Sequence, residues 1–131
     1  MAQWEVRCDP PSQMTQFPTG ATRSAEHTFD PEGFLSPVVI AEFCRCMEKH
    51  RLQKDGQLRA SDNWQLGMPT SRARRSLTRH FLDAWLIWRG AKPVSADCTS
   101  QQDALCAIIF NASILLKNLI NMNDHEDGRT R

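Results

Sequence analysis

The chain has no excess of charge of one sign. Sixteen lysines and arginines stand against 15 aspartates and glutamates, a formal net charge of +1 over 131 residues. A field so near neutral does not gather a nucleic acid polymer or an anionic membrane surface. The opening Met1-Ala2-Gln3-Trp4-Glu5 lacks the basic-then-apolar order of a signal peptide. No apolar run reaches the roughly 18 residues that a membrane span needs. The longest stretch, Ala104 to Ile120, is interrupted by Asn111, Ser113, Lys117 and Asn118. Paired Cys-x-x-Cys spacing is missing, and the cysteines (Cys8, Cys44, Cys46, Cys98, Cys106) are five, an odd number. Both facts argue against a disulfide framework or a zinc knuckle. Cys44 and Cys46, the one close pair, point about 200° apart on a helix. Internal repeats and clear strand patterns are absent too. These absences predict a cytoplasmic protein with reduced thiols and no membrane or nucleic acid polymer as partner.

What is present is helical. Residues 1–35 hold Pro10, Pro11, Pro18, Gly20, Pro31 and Gly33 without an apolar period. They predict an extended or disordered arm, pinned by Trp4, Phe17 or Phe34 or crossing a partner subunit. Residues 36–122 form the helical domain. Ser36-Pro37 is an N-cap followed by proline at the first helical position, and Val39, Ile40, Phe43 and Met47 repeat at three and four to about Arg51. Leu52 to Pro69 reads as a long connection of the kind that often carries function. A second helix, capped by Thr70 or Ser71, runs to Arg89 and stops at Gly90 and Pro93, with a core stripe of Leu77, Phe81, Ala84, Trp85 and Trp88. A third, from about Ser100 to Met122, is apolar on nearly every side and so predicts burial all round. Two or three helices cannot surround it, which predicts an all-α bundle completed by a second copy of the chain. Residues 123–131 read as a solvated tail.

The residues fit for chemistry lie between Asp62 and Asn118, and each has a plainer reading. Asp103 follows Ser100 by three residues, so it closes a capping box or offers a carboxylate to a metal. Asn111 and Asn118 share one side of the third helix; Asn118 suits a register-setting contact, and Asn111 a ligand or a metal-bound water. His80 and Asp83 meet at i and i+3, while Arg79 and Asp83 at i and i+4 form by default a weak surface ion pair. Asp62-Asn63-Trp64 is either an Asx turn with an anchoring ring or the stacking and edge groups of a nucleobase pocket. The cluster Arg72, Arg74, Arg75 and Arg79 suits a phosphate, an acidic partner or solvent.

Asp62-Asn63-Trp64-Gln65-Leu66-Gly67, then Arg79-His80, Trp85, Arg89-Gly90, Asp103-Ala104-Leu105 and Asn111, resembles the dATP/dGTP diphosphohydrolase N-terminal family of phage and bacteria. That family looks related to the MazG-like nucleotide pyrophosphohydrolases. The stretch from His50-Arg51 through Asp55-Gly56 to Arg59 is similar to the leader of phage members. The resemblance covers residues 36–120. It implies a MazG-like helical bundle, a dimer or tetramer, and Mg²⁺ (or Mn²⁺). The implied activity is hydrolysis of a purine deoxynucleoside triphosphate to monophosphate and pyrophosphate, in the host cytoplasm if the chain is phage-encoded. On that reading Asp83 and Asp103 hold the metal, His80 and Arg79 meet the phosphates, Asn63 and Trp64 meet the base, and Asn111 binds the ligand. The chain departs from the family in lacking the Glu-x-x-Glu and Glu-x-x-Asp pairs of MazG-type metal sites, leaving only Asp83 and Asp103, with Glu42 and Glu48 more distant. A binding protein that keeps the nucleotide pocket without the metal is the alternative.

Overall fold

The computed structural model describes residues 14–24 and 29–126, and the expectation for Trp4 lies outside them. These residues are largely helical. The first departure from the sequence reading is a small antiparallel hairpin, β1 (Met14–Gln16) with β2 (Thr22–Ser24), in register Met14↔Ser24. Gly20, at φ 90°, closes its turn by donating to the Phe17 carbonyl. Phe17 and Phe34 are both exposed, so neither anchors the arm. A single helical turn, α1 (Pro31–Phe34), follows.

Helix α2 (Pro37–Lys49) begins as its sequence dictates: Ser36 Oγ accepts from Val39 N at 3.4 Å, and Pro37 holds the first position. A 3₁₀ turn (Asn63–Leu66) interrupts the connection, where the sequence shows no apolar period. Helix α3 (Thr70–Trp88) lacks the expected side-chain cap. The Thr70 hydroxyl accepts instead from Asn118 Nδ2, which also reaches the Met68 carbonyl. Asn118 therefore fixes where α3 starts against the last long helix, the register role expected of it. At the other end Gly90 N donates to Ile87 O and Ala91 N to Leu86 O, a Schellman closure around Gly90 at φ 77°. Nothing would touch a β-carbon at Gly90, so Gly90→Ala carries only the left-handed backbone penalty. That substitution is expected to lower stability by roughly 1–2 kcal/mol, read as a drop in Tm with unchanged helical circular dichroism.

Helix α4 (Gln101–Glu126) runs beyond the expected end, so residues 123–126 belong to the helix and not to a tail. It packs along α3, with α2 set against its first turns. Two expected core stripes are turned outward. Phe81, Trp85 and Trp88 are half exposed, whereas Ala73, His80, Asp83 and Ala84 are buried. Small residues build the contact between the helices: Ala84 of α3 packs with Ala104 of α4 and Cys98, and side chains of that size suit close approach of two helix backbones. On α2, Cys46 is the buried residue, and Val39 and Ile40 lie in solvent. Helix α4 is also not buried all round, since Leu105, Ile109, Leu116, Leu119 and Met122 are exposed. By length and composition alone Gln101–Asn123 would suffice to cross a membrane. Among the described residues the buried apolar set is three alanines, three cysteines and Ile114.

Candidate functional site

Three helical ladders and one loop converge on a single cleft of about 550 Å³. Helix α3 offers Arg72, Ser76 and His80, one turn apart in succession; α4 offers Asp103, Ala107, Phe110 and Asn111; α2 offers Phe43, Met47 and Glu48. The loop after α2 closes the remaining side with Arg51, Arg59, Asn63 and Trp64. Trp64 meets Phe110 edge to face, with ring centroids 6.1 Å apart. One wall is therefore aromatic and another cationic.

The cations differ in freedom. Arg51 is committed, with Nη1 donating to Glu48 Oε1 at 2.7 Å and Nε donating to the Arg59 carbonyl at 2.7 Å. That second bond holds the Arg59 backbone against the cleft rim. Neither Arg59 nor Arg72 pairs with a carboxylate among the described residues, so both guanidinium groups remain available to an anion.

His80 lies in the cleft wall and is supported from behind. Its Nδ1 is 3.3 Å from Asp83 Oδ2, close enough for attraction although the two atoms are not aligned as a hydrogen bond. Asp83 is wholly buried, and its Oδ1 accepts from Val94 N at 2.8 Å and Ser95 N at 3.2 Å. Burial alone would raise this carboxyl. The hydrogen bonds from Ser95 and Val94 and the proximity of His80 outweigh it, and the pKa falls below the ordinary 3.8. Asp83 thus ties the α3–α4 connection to the histidine and does not itself line the cleft.

Asp103 does line it, as an N-terminal capping residue. Its backbone N–H donates to Ser100 Oγ at 3.1 Å, while Oδ2 accepts from Thr99 N at 3.1 Å and Thr99 Oγ1 at 2.5 Å. The Cys46 thiol donates to Oδ1 at 3.5 Å, and Lys49 Nζ stands 4.0 Å away. The Thr99 hydroxyl is the largest influence on this carboxyl; burial opposes it, and the net displacement is downward. Asn111 donates Nδ2 to the Ala107 carbonyl of its own helix and is 7% exposed at the cleft wall.

The cleft therefore gathers Asn63, Trp64, His80, Asp103 and Asn111 from the residues the sequence singles out. Two do not join them. Asp83 stands behind His80, and Arg79 is exposed on the outer side of α3, where its Nε donates to Ser95 Oγ at 3.2 Å. The sequence reading also misses Phe110 and treats Arg72 as one member of a basic run. The one-turn spacing of Arg72, Ser76 and His80 was the signal that separates Arg72 from Arg74 and Arg75.

Asp83 and Asp103 do not fit a shared metal centre. Mg²⁺ wants oxygen ligands with open lone pairs in near-octahedral array. Asp83 is enclosed and held by two backbone N–H groups and His80, and Asp103 by Thr99 and Cys46. Among the described residues no three His, Cys, Asp or Glu side chains are grouped to hold a metal ion. Two buried thiols near the cleft are held protonated. Burial, together with Cys106 and Asp103 beside it, pushes the Cys46 thiol up to about 12. Burial, and then the Asp83 charge, raise that of Cys98. The four described cysteines are all free thiols. Comparison with protein-family models, curated proteins and solved structures finds no match for this chain.

Proposed function

We propose that the cleft binds a nucleotide, a purine deoxynucleoside triphosphate by preference, without a metal-dependent step. The observation that carries this reading is the placement of an aromatic pair, Trp64 and Phe110, in the same cleft as the guanidinium groups of Arg59 and Arg72, which no carboxylate of the described residues engages. A planar base stacks on the rings. Asn63 and Asn111 supply edge contacts, and the arginines and His80 take the phosphates. The volume of about 550 Å³ is within the range of small-molecule pockets. Hydrolysis would need a metal to present water to phosphorus, and the two carboxylates that the family likeness offers for it are engaged elsewhere.

The test is a thermal-shift panel of purine and pyrimidine ribo- and deoxynucleotides, each with Mg²⁺ and with EDTA. A ligand at a hundredfold its Kd stabilises by about 2.7 kcal/mol, roughly 10 °C in Tm for a domain of this size. The expected pattern is a shift that grows from mono- to triphosphate and survives EDTA. No shift with any nucleotide would remove the proposal, and pyrophosphate release only with Mg²⁺ would replace it with hydrolysis.

A further inference from the structure

Helix α4 carries a second pattern on the side away from the cleft. Leu105, Ile109, Ala112, Leu116 and Leu119 follow one another at steps of four, three, four and three, the 3.5-residue period of a coiled-coil seam. All five are exposed, Leu116 at 59% and Leu119 at 52%. Asn111, Ile114 and Asn118, which face the cleft and α3, project from the other side of the helix. Among the described residues nothing packs over this seam, which is about 21 Å long at 1.5 Å per residue. Beside its first turns Val38 and Val39 of α2 border an apolar groove shared with Leu105 and Ile109.

We propose that this seam pairs two copies of the chain, α4 against α4. The uncharged flanks favour a second copy as the occupant. In coiled-coil packing the residues beside the seam select the partner, opposite charges attracting and like charges repelling. Here those positions are Cys106, Ile108, Ser113, Leu115 and Ile120, none of them charged, and Lys117 is the sole charge between Ala104 and Asn123. A helix with charged flanks would bury them unanswered against this surface. The chain's own α4 brings an equally neutral flank and an identical period, so self-pairing meets no like-charge conflict. Ala112, at the centre of the five positions, lets the two helices come close. The core argues the same way: Ile114 is the one large aliphatic buried among the described residues, too little apolar burial for a domain of this length to be complete alone. The seam lies apart from the cleft, so this inference does not depend on the nucleotide reading.

Sedimentation equilibrium of the full chain tests it, with Leu116→Glu and Ala112→Glu as seam variants and Leu66→Glu as the control. Leu66 is 88% exposed and lies outside α4, so a charge there leaves the seam intact. The expected result is a dimer for the unaltered chain and for Leu66→Glu. Both seam variants should be monomeric at the same concentration, at least about tenfold weaker in association, with helical circular dichroism retained. Using two seam variants keeps the test meaningful if either fails to fold. A monomeric unaltered chain at about 100 μM would overturn the proposal, as would a dimer indifferent to both seam charges. So would monomeric chain that partitions into phosphatidylcholine vesicles, since lipid would then be what covers the seam.

Discussion

Asp83→Ala is expected to lower stability by about 3–5 kcal/mol, enough to leave the chain largely unfolded at moderate temperature. The size follows from what the carboxylate holds. With Oδ1 gone, the N–H groups of Val94 and Ser95 lose their acceptor beside a fully buried site, and His80 Nδ1 loses the carboxylate 3.3 Å away. The two donors are part-buried, and a donor stranded away from water costs roughly 1–3 kcal/mol, so most of the loss comes from breaking the buried carboxylate's own bonds and its pair with His80. Asp83→Asn keeps the shape and one acceptor oxygen and should cost less. Urea denaturation of both variants checks the order; equal stability of Asp83→Ala and the unaltered chain would show that the α3–α4 connection is held by something else.

The same group sets an acid limit on the fold. The carboxyls of Asp83 and Asp103 both lie below the ordinary aspartate value of 3.8 in the folded chain. The unfolded chain therefore binds protons more readily than the folded one as the pH falls. Their stabilisation is complete above the ordinary aspartate range and drains away from there downward through the lowered folded values. Denaturation midpoints followed from neutral pH to about pH 2 should fall most steeply below pH 4, and Asp83→Asn should flatten that fall.

The second large effect concerns the cleft. Trp64→Ala removes one face of the aromatic wall, and a stacked base is worth about 1–3 kcal/mol, so nucleotide affinity should drop by roughly 5- to 150-fold. Arg72→Ala should act differently. On the proposed reading it removes a phosphate contact, so its cost should grow with the number of phosphates and shrink with added salt. The double variant should add the two effects if base and phosphate sites are separate. Calorimetric titration of nucleoside, monophosphate and triphosphate into each variant separates these terms.

How much of this was legible beforehand varies by residue for physical reasons. Local signals were read directly. Ser36-Pro37 opens α2, Gly90 ends α3, and Asn118 sets a register, because each depends on a few neighbouring bonds. Asp103 showed both its readings, and the capping geometry is the one the structure displays. The facing of the long helices was not legible. Hydropathy places Phe81, Trp85 and Trp88 inward, but the side of α3 that is buried carries Ala84, whose smallness suits it to pack on Ala104 of α4. Hydropathy scales rank that quality low. The outward turn of α4's seam follows from the same cause. In the cleft, Asn63, Trp64, His80 and Asn111 were found as unusual polar or aromatic residues in apolar company. Arg59 is not legible as a site residue because a loop brings it there through its backbone N–H bond to the Arg51 carbonyl and the return bond from Arg51 Nε, a tertiary event with no periodic trace.

The proposed function requires one cleft that holds base and phosphate together, and labelling that cleft tests it most directly. An azido-purine deoxynucleoside triphosphate, photolysed on the protein in EDTA and mapped by peptide mass spectrometry, reports which residues lie within bonding distance of the base. The expected adducts fall on the peptides carrying Trp64 or Phe110, and an excess of unlabelled dATP abolishes them. Adducts on the outer face of α3 around Trp85 and Trp88, or labelling that dATP does not compete, would contradict it.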